Sequence, residues 1–348
     1  MNECHYEKKM EFFYNHSNSK TEDDWSGARL IIILVFGSIF CFFIFLSNAM
    51  VIAAVITNKR FHFPFYYLLA NLAASDFFAG IAYVYLMFNT GPVSKTLTVH
   101  RWFLRQGLLD TSLSASLANL LVIALERYIS VMKMTLHSNL TKRRVTVLII
   151  MVWAVSIFLA AVPSLGWNCI CSLDDCSILA PIYSRSYLVF WSVSNLLIFF
   201  IMVVAYMRIY MYVKKKIIVL SPHTKGSISR KRTPIKLIKT VMTVLGVFVI
   251  CWTPGLVILL LDGLHCSSCR LLDVKQWFLQ LAMLNSIMNP VIYSYKDQEM
   301  RNTFKNMISC VRNGGRTSST NSRVLSCSIE PSPSTEESCI SFHKEVKA

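Results

Sequence analysis

The sequence predicts an all-α membrane protein: a bundle of seven transmembrane helices followed by a short amphipathic helix. Three observations predict it. Seven apolar stretches lie between residues 30 and 295, and a helix needs about 20 such residues to cross a bilayer. The chain is 54% hydrophobic and 16% charged, whereas a soluble domain carries about 25% charged residues. The net charge of +16 is gathered in short clusters beside the apolar stretches: Lys59 and Arg60; Lys142, Arg143 and Arg144; Lys214, Lys215 and Lys216; Arg230, Lys231 and Arg232. That is the positive-inside pattern and places these loops in the cytoplasm. The same clustering argues against nucleic acid as a partner, because no single soluble face is basic.

Residues 1–29 form a polar, acidic N-terminal cap. They lack the basic start and apolar core of a cleaved signal peptide, so the first span is expected to target the chain. Seven spans with cytoplasmic basic loops put the N-terminus outside and the C-terminus inside, at the plasma membrane. Asn15-His16-Ser17 is then an outward-facing glycosylation sequon. The bundle, residues 30–295, holds spans near 30–57, 65–92, 102–132, 145–166, 184–213, 237–262 and 274–295. Lipid offers no hydrogen-bond partners, so each span closes its backbone bonds internally as a helix. Residues 296–310 carry Met300, Phe304, Met307 and Ile308 on one helical face and Arg301 and Lys305 on the other, the pattern of a membrane-surface helix. Cys310 is a candidate for palmitoylation. Residues 311–348 are Ser-rich and poor in apolar residues, expected to be disordered and open to phosphorylation.

Polar groups inside a span are costly and are functional candidates by default. The sequence places Asn48 in span one, Asn71 and Asp76 in span two, and Asp110, Ser116, Asn119, Glu126 and Arg127 in span three. Asn195 lies in span five, and Asn285, Ser286 and Asn289 in span seven. Asp76 needs compensation. Either a small cation such as sodium sits among Asp76, Ser116, Asn285, Ser286 and Asn289, or the carboxyl is neutral and hydrogen-bonded. Glu126-Arg127-Tyr128 ends span three, where a carboxylate beside a guanidinium can hold it until something draws it away. The alternative is two charges snorkelling at the membrane edge. Pro254 and Pro290 remove helix hydrogen bonds in spans six and seven. Trp252 lies just before the first and Tyr293 just after the second; either each is a lever beside a two-state element, or the prolines are the ordinary ones frequent in membrane helices.

Taken in order on seven spans, these residues resemble the rhodopsin-like G-protein-coupled receptors. The resemblance covers about residues 30–310. It rests on Asn48, the Leu-Ala-x-x-Asp run ending in Asp76, Glu126-Arg127-Tyr128, Trp153, Phe248 with Cys251-Trp252-Thr253-Pro254, and the Asn-Pro-x-x-Tyr run ending in Tyr293. The chain departs from that pattern twice. Trp102 stands where the outer end of span three usually has cysteine, and Ile198 lies in the region of the usual span-five proline. Both departures are shared by the lysophospholipid subfamily. So are the runs Phe61 to Tyr67, Trp102 to Asp110, and Gly166-Trp167-Asn168-Cys169, which resemble the lysophosphatidic acid receptors.

The outer cysteines Cys4, Cys169, Cys171, Cys176, Cys266 and Cys269 are even in number in an oxidising compartment. Six cysteines allow fifteen pairings, and a metal site is the rival use. The resemblance implies Cys169–Cys176, Cys266–Cys269 and Cys4–Cys171. It also implies a ligand with a phosphate, a glycerol hydroxyl and one acyl chain. Arg105 would hold the phosphate, since its planar fork suits phosphate oxygens, and Gln106 the glycerol region. Lys275 and Arg185 are further phosphate cations, and Asp110 could orient Arg105 or accept from a hydroxyl. Trp191, Leu259 and Gly255 would shape the acyl chamber, or serve only helix packing. Sphingosine 1-phosphate carries an ammonium and would want Glu where Gln106 stands, so the glycerolipid is favoured and the sphingolipid, or another lipid, is the alternative. Heterotrimeric G proteins are the implied inner partners, with calcium release and lowered cAMP as outputs, and arrestin and receptor kinases on the tail. A secondary transporter is the rival class, but seven spans do not divide into matched halves. No His-Glu-x-x-His, Gly-x-Ser-x-Gly or Walker pattern occurs, so no enzyme activity is expected.

Overall fold

The computed structural model describes residues 8–16, 27–132, 141–220, 228–266, 269 and 271–314. At 28–29, 216–220, 228–239, 241, 271–280 and 310–314 it describes the backbone alone. The described residues form ten α-helices: α1 Met10–His16, α2 Gly27–Thr57, α3 Pro64–Phe88, α4 Pro92–Thr96, α5 Val99–Met132, α6 Lys142–Ala161, α7 Arg185–Leu220, α8 Ile228–Gly263, α9 Leu271–Lys296 and α10 Gln298–Gly314. Six of them (α2, α3 and α5 to α8) contain stretches long and apolar enough to cross a membrane. With α9, whose 26 residues span about 39 Å at about 1.5 Å each, the bundle has the seven spans expected. The chain divides into two units, Met1–Phe304 and Lys305–Ala348.

Local chemistry sets the ends of the spans. Pro64 opens α3 behind an extended Phe63, where the missing N–H costs nothing. The span ends at Phe88, four residues short of the expected 92. Asn89 donates its amide to Tyr85 O at 2.8 Å and its N–H to Leu86 O at 3.0 Å, and Gly91 follows at φ 63°, a conformation that favours glycine. Thr141 caps α6 by accepting from the Arg144 N–H at 3.4 Å. That helix ends at Ala161 rather than near 166: Val162 keeps helical angles, but Pro163 has no N–H to continue the ladder. In contrast, α8 begins at Ile228, nine residues before the apolar stretch starts.

Buried amides join the spans. Asn71 on α3 donates to Asn119 Oδ1 on α5 at 2.6 Å, while its own Oδ1 accepts from Trp153 Nε1 on α6 at 3.0 Å. Asn48 on α2 donates to the Ser286 carbonyl on α9 at 3.0 Å. Such bonds are worth about 1 kcal/mol each in a membrane, where the alternative is an unsatisfied polar group. Helix α5 is central, touching α3, α6, α7 and α8. Ile31, Phe36, Phe42, Ile150, Phe158 and Phe200 are exposed, as side chains facing lipid tails are.

Two devices close the ends. At the end expected to face out, α1 docks against α4 and the start of α5: the Met10 N–H donates to Leu97 O at 2.9 Å and the Val99 N–H to Lys8 O at 3.0 Å. Trp102, which replaces the usual cysteine, is 1% exposed and donates its indole N–H to Tyr14 Oη at 3.2 Å. Inside, Asp297 caps α10, accepting from the Glu299 and Met300 N–H groups at 3.0 and 3.3 Å. Its other oxygen accepts from Tyr66 Oη at 3.0 Å. Asn58, after α2, donates to Thr303 Oγ1 at 2.9 Å.

Candidate functional site

The outer end of α5 carries Arg105, Gln106 and Asp110; Gln106 and Asp110, four residues apart, share one face, and Arg105 lies on the adjoining one. Arg105 is 7% exposed. Its Nη1 donates to the Asn89 carbonyl at 2.7 Å, its guanidinium lies 5.5 Å from the Trp102 ring centroid, and its buried Nε has no hydrogen-bond partner. Among the described residues no carboxylate pairs with it. An isolated buried cation costs several kcal/mol, a cost that an anion at this position would offset. One turn below, Asp110 accepts from Gln106 Nε2 at 3.3 Å and from Tyr183 Oη at 2.8 Å. Burial, then the Asp110 carboxyl, holds the Tyr183 phenol well above its ordinary range, which keeps it a donor.

Tyr183 belongs to the second outer loop, which Cys169–Cys176 closes on itself. Cys266–Cys269 closes the third. Cys171 is also disulfide-bonded; its expected partner, Cys4, lies outside the described residues. Asn15 is exposed on α1. The remaining ligand candidates are more scattered. Arg185, at the start of α7, donates to the Asp174 carbonyl at 3.0 Å and keeps an unpartnered buried Nε. Lys275 lies in the first turns of α9, with its side chain outside the described residues. Trp191 is 5% exposed and stacks on Tyr187; Gly255 and Leu259 are half-buried on α8, which packs on α7. An open apolar crevice of about 550 Å³ runs beside Pro254, lined by Val249, Ile250, Thr253, Val257 and Ile258. Ile250 is 71% exposed, so the crevice meets lipid rather than the headgroup site.

Below this site lie the other residues that the sequence singled out. Asp76 accepts from Ser116 Oγ at 3.2 Å and from Asn289 Nδ2 at 2.7 Å; Ser286 also reaches it. The buried Oδ1 atoms of Asn285 and Asn289 have no partner. A carboxylate among hydroxyls and orphaned amide oxygens fits a hard cation such as sodium, which takes oxygen ligands. Trp252 lies 6.1 Å from the Phe248 ring, which meets Phe199 at 5.6 Å. Tyr293 is buried, its hydroxyl unpartnered. At the inner end, Arg127 makes a two-pronged pair with Glu126, which also accepts from Ser130 Oγ at 3.0 Å. The Arg127 guanidinium sits 4.3 Å over the Phe65 ring, with Tyr128 half-buried beside it.

Sequence reasoning missed three partners: Asn89, Tyr183 and Asp262. Asp262 is 1% exposed at the outer end of α8, and the rule that flags intramembrane charge would have found it. The other two act through a backbone carbonyl and a loop fold that no spacing reveals.

A seven-helix bundle with a buried guanidinium near one end of α5 and a Glu–Arg pair near the other has the form of a membrane receptor. The family described as 7 transmembrane receptor (rhodopsin family) matches residues 47–293. Over 310 residues the chain is 73% identical to Lysophosphatidic acid receptor 3 of Mus musculus and 72% identical to that of Homo sapiens, covering 89% of this chain and 88% of each relative. It is 51% identical over 322 residues to Lysophosphatidic acid receptor 1 of Homo sapiens, covering 92% of this chain and 88% of that one. The chain belongs to the rhodopsin family of seven-transmembrane receptors. It is thus a multi-pass plasma-membrane receptor and not an enzyme.

Proposed function

We propose that this chain is a cell-surface receptor for lysophosphatidic acid that activates heterotrimeric G proteins, with its N-terminus extracellular and its C-terminus cytoplasmic. The observation that carries the ligand is Arg105, a buried guanidinium without a carboxylate partner among the described residues, next to the neutral Gln106. The names of the relatives support the same lipid. Arg105 takes the phosphate, helped by Lys275 and Arg185, and Gln106 and Asp110 meet the glycerol. Trp191, Gly255 and Leu259 border the acyl chain. Neutral Gln106 disfavours sphingosine 1-phosphate, whose ammonium would lack a carboxylate at that position.

The mechanism is a population shift. Lipid binding favours the arrangement in which α8 moves and Arg127 leaves Glu126 to meet the G protein. A ligand moves this equilibrium only by its differential affinity for the two states. A sodium ion at Asp76 would supply the positive charge that the buried carboxylate lacks; Ser116, Asn285, Ser286 and Asn289 would hold it. Glycosylation at Asn15, palmitoylation at Cys310, and arrestin and receptor-kinase engagement of the tail complete the reading. The test is nucleotide exchange on G proteins in membranes carrying the chain. Lysophosphatidic acid should drive it and sphingosine 1-phosphate should not; the reverse order would overturn the ligand.

A further inference from the structure

Asp262 gathers three donors from one short segment of the second outer loop. Its carboxylate accepts from Ser177 Oγ, from the Ile178 N–H at 3.2 Å and from the Leu179 N–H at 3.1 Å. Ser177 Oγ in turn accepts from the Ala180 N–H at 2.8 Å. The segment leaves Cys176 directly, so the Cys169–Cys176 bond fixes where it starts. The Ser177 N–H donates to the Tyr183 carbonyl at 3.0 Å, and Tyr183 Oη donates to Asp110. Two sets of polar contacts, joined through the Tyr183 side chain, therefore link α8 through the loop to α5, directly beside the headgroup candidates.

The packing next to Asp262 is tight. A Cβ at Gly263 would lie 2.7 Å from Val189 Cγ2 and 3.0 Å from Arg185 O, so the outer end of α8 sits flush against α7. A carboxylate that is 1% exposed and meets two backbone N–H groups and a hydroxyl tolerates little relative motion, because each lost bond strands a buried charge. In the same structure the inner pair Glu126–Arg127 is closed. A closed outer staple and a closed inner switch coexist.

We propose that Asp262 is a resting-state latch: it holds α8 to the second outer loop, and its release belongs to activation. The latch rests on the receptor reading but not on the identity of the lipid, because its first readout needs no agonist. The experiment uses the full chain with Asp262→Asn, Ser177→Ala and the double variant, each scaled to surface expression. Asp262→Asn replaces one acceptor oxygen with an amide that faces backbone donors, and Ser177→Ala removes one hydroxyl. Agonist-free G-protein activation should rise about threefold to tenfold in each, the effect of one such bond. The lysophosphatidic acid EC50 should fall by a similar factor. The double variant should barely exceed Asp262→Asn alone, since the two groups share one interaction. Should Asp262→Asn fail to reach the surface, the milder Ser177→Ala decides. If agonist-free activity is unchanged or lower in the variants that do reach the surface, the latch is overturned. If it rises while the unmodified receptor is silent to lysophosphatidic acid, the latch stands and the ligand reading falls.

Discussion

Tyr183 Oη donates to Asp110 Oδ2 at 2.8 Å, and that bond joins the second outer loop to the turn of α5 just below Arg105 and Gln106. The loop thus does more than cover the bundle: it fixes one oxygen of Asp110 and leaves the other to Gln106. Tyr183→Phe keeps the ring and removes the donor. Losing a hydrogen bond to a buried carboxylate costs about 1.5–3 kcal/mol, so the EC50 for lysophosphatidic acid should rise about tenfold or more. Adding Asp110→Ala should cost little beyond Asp110→Ala alone, and additive losses would show that the pair does not act as a unit.

Headgroup selection turns on the neutrality of Gln106. Gln106→Glu should pair with the ammonium of sphingosine 1-phosphate and repel the phosphate of the glycerolipid. Potency should exchange between the two lipids, by about tenfold or more in each direction. Dose–response curves for both lipids on the same cells check this. Two unchanged curves would remove Gln106 from the site.

The oxygens around Asp76 predict sodium sensitivity. Raising sodium at constant ionic strength should weaken agonist binding severalfold, because the ion favours the resting arrangement. Asp76→Asn should abolish that dependence, since a neutral amide cannot balance the ion. Binding that ignores sodium in the unmodified receptor would favour a neutral, hydrogen-bonded Asp76.

Glu126 holds Arg127 in a two-pronged pair while the guanidinium lies over the Phe65 ring. Glu126→Gln removes the charge attraction and should raise agonist-free nucleotide exchange about threefold, the value of a charge-assisted bond near the membrane edge. No rise at matched surface expression would reduce the pair to two snorkelling charges.

The seven spans were legible because hydrocarbon enforces one solution on about 20 apolar residues. The polar residues inside the bundle were legible for a related reason: Asp76, Asn285, Asn289 and Arg127 are expensive where they stand. Span ends were less so. Phe88 ends α3 through an Asn89 cap and a left-handed Gly91, and the first nine residues of α8 are too polar for hydropathy to register. The outer site was half legible. Arg105 and Gln106 could be picked out by type, but the Asn89 carbonyl that positions Arg105 is a backbone group. Tyr183 and Asp262 meet their partners only because a disulfide-closed loop folds back onto two different helices.

The most direct test of the central claim, that Arg105 holds the phosphate of lysophosphatidic acid, is intracellular calcium release. Cells bearing equal surface amounts of the unmodified chain and of Arg105→Ala would be dosed with the lipid. A buried, bidentate charge contact is worth several kcal/mol, so the variant should be silent or shifted at least about a hundredfold. A matched response from both receptors would contradict the account and move the phosphate to Lys275 or Arg185.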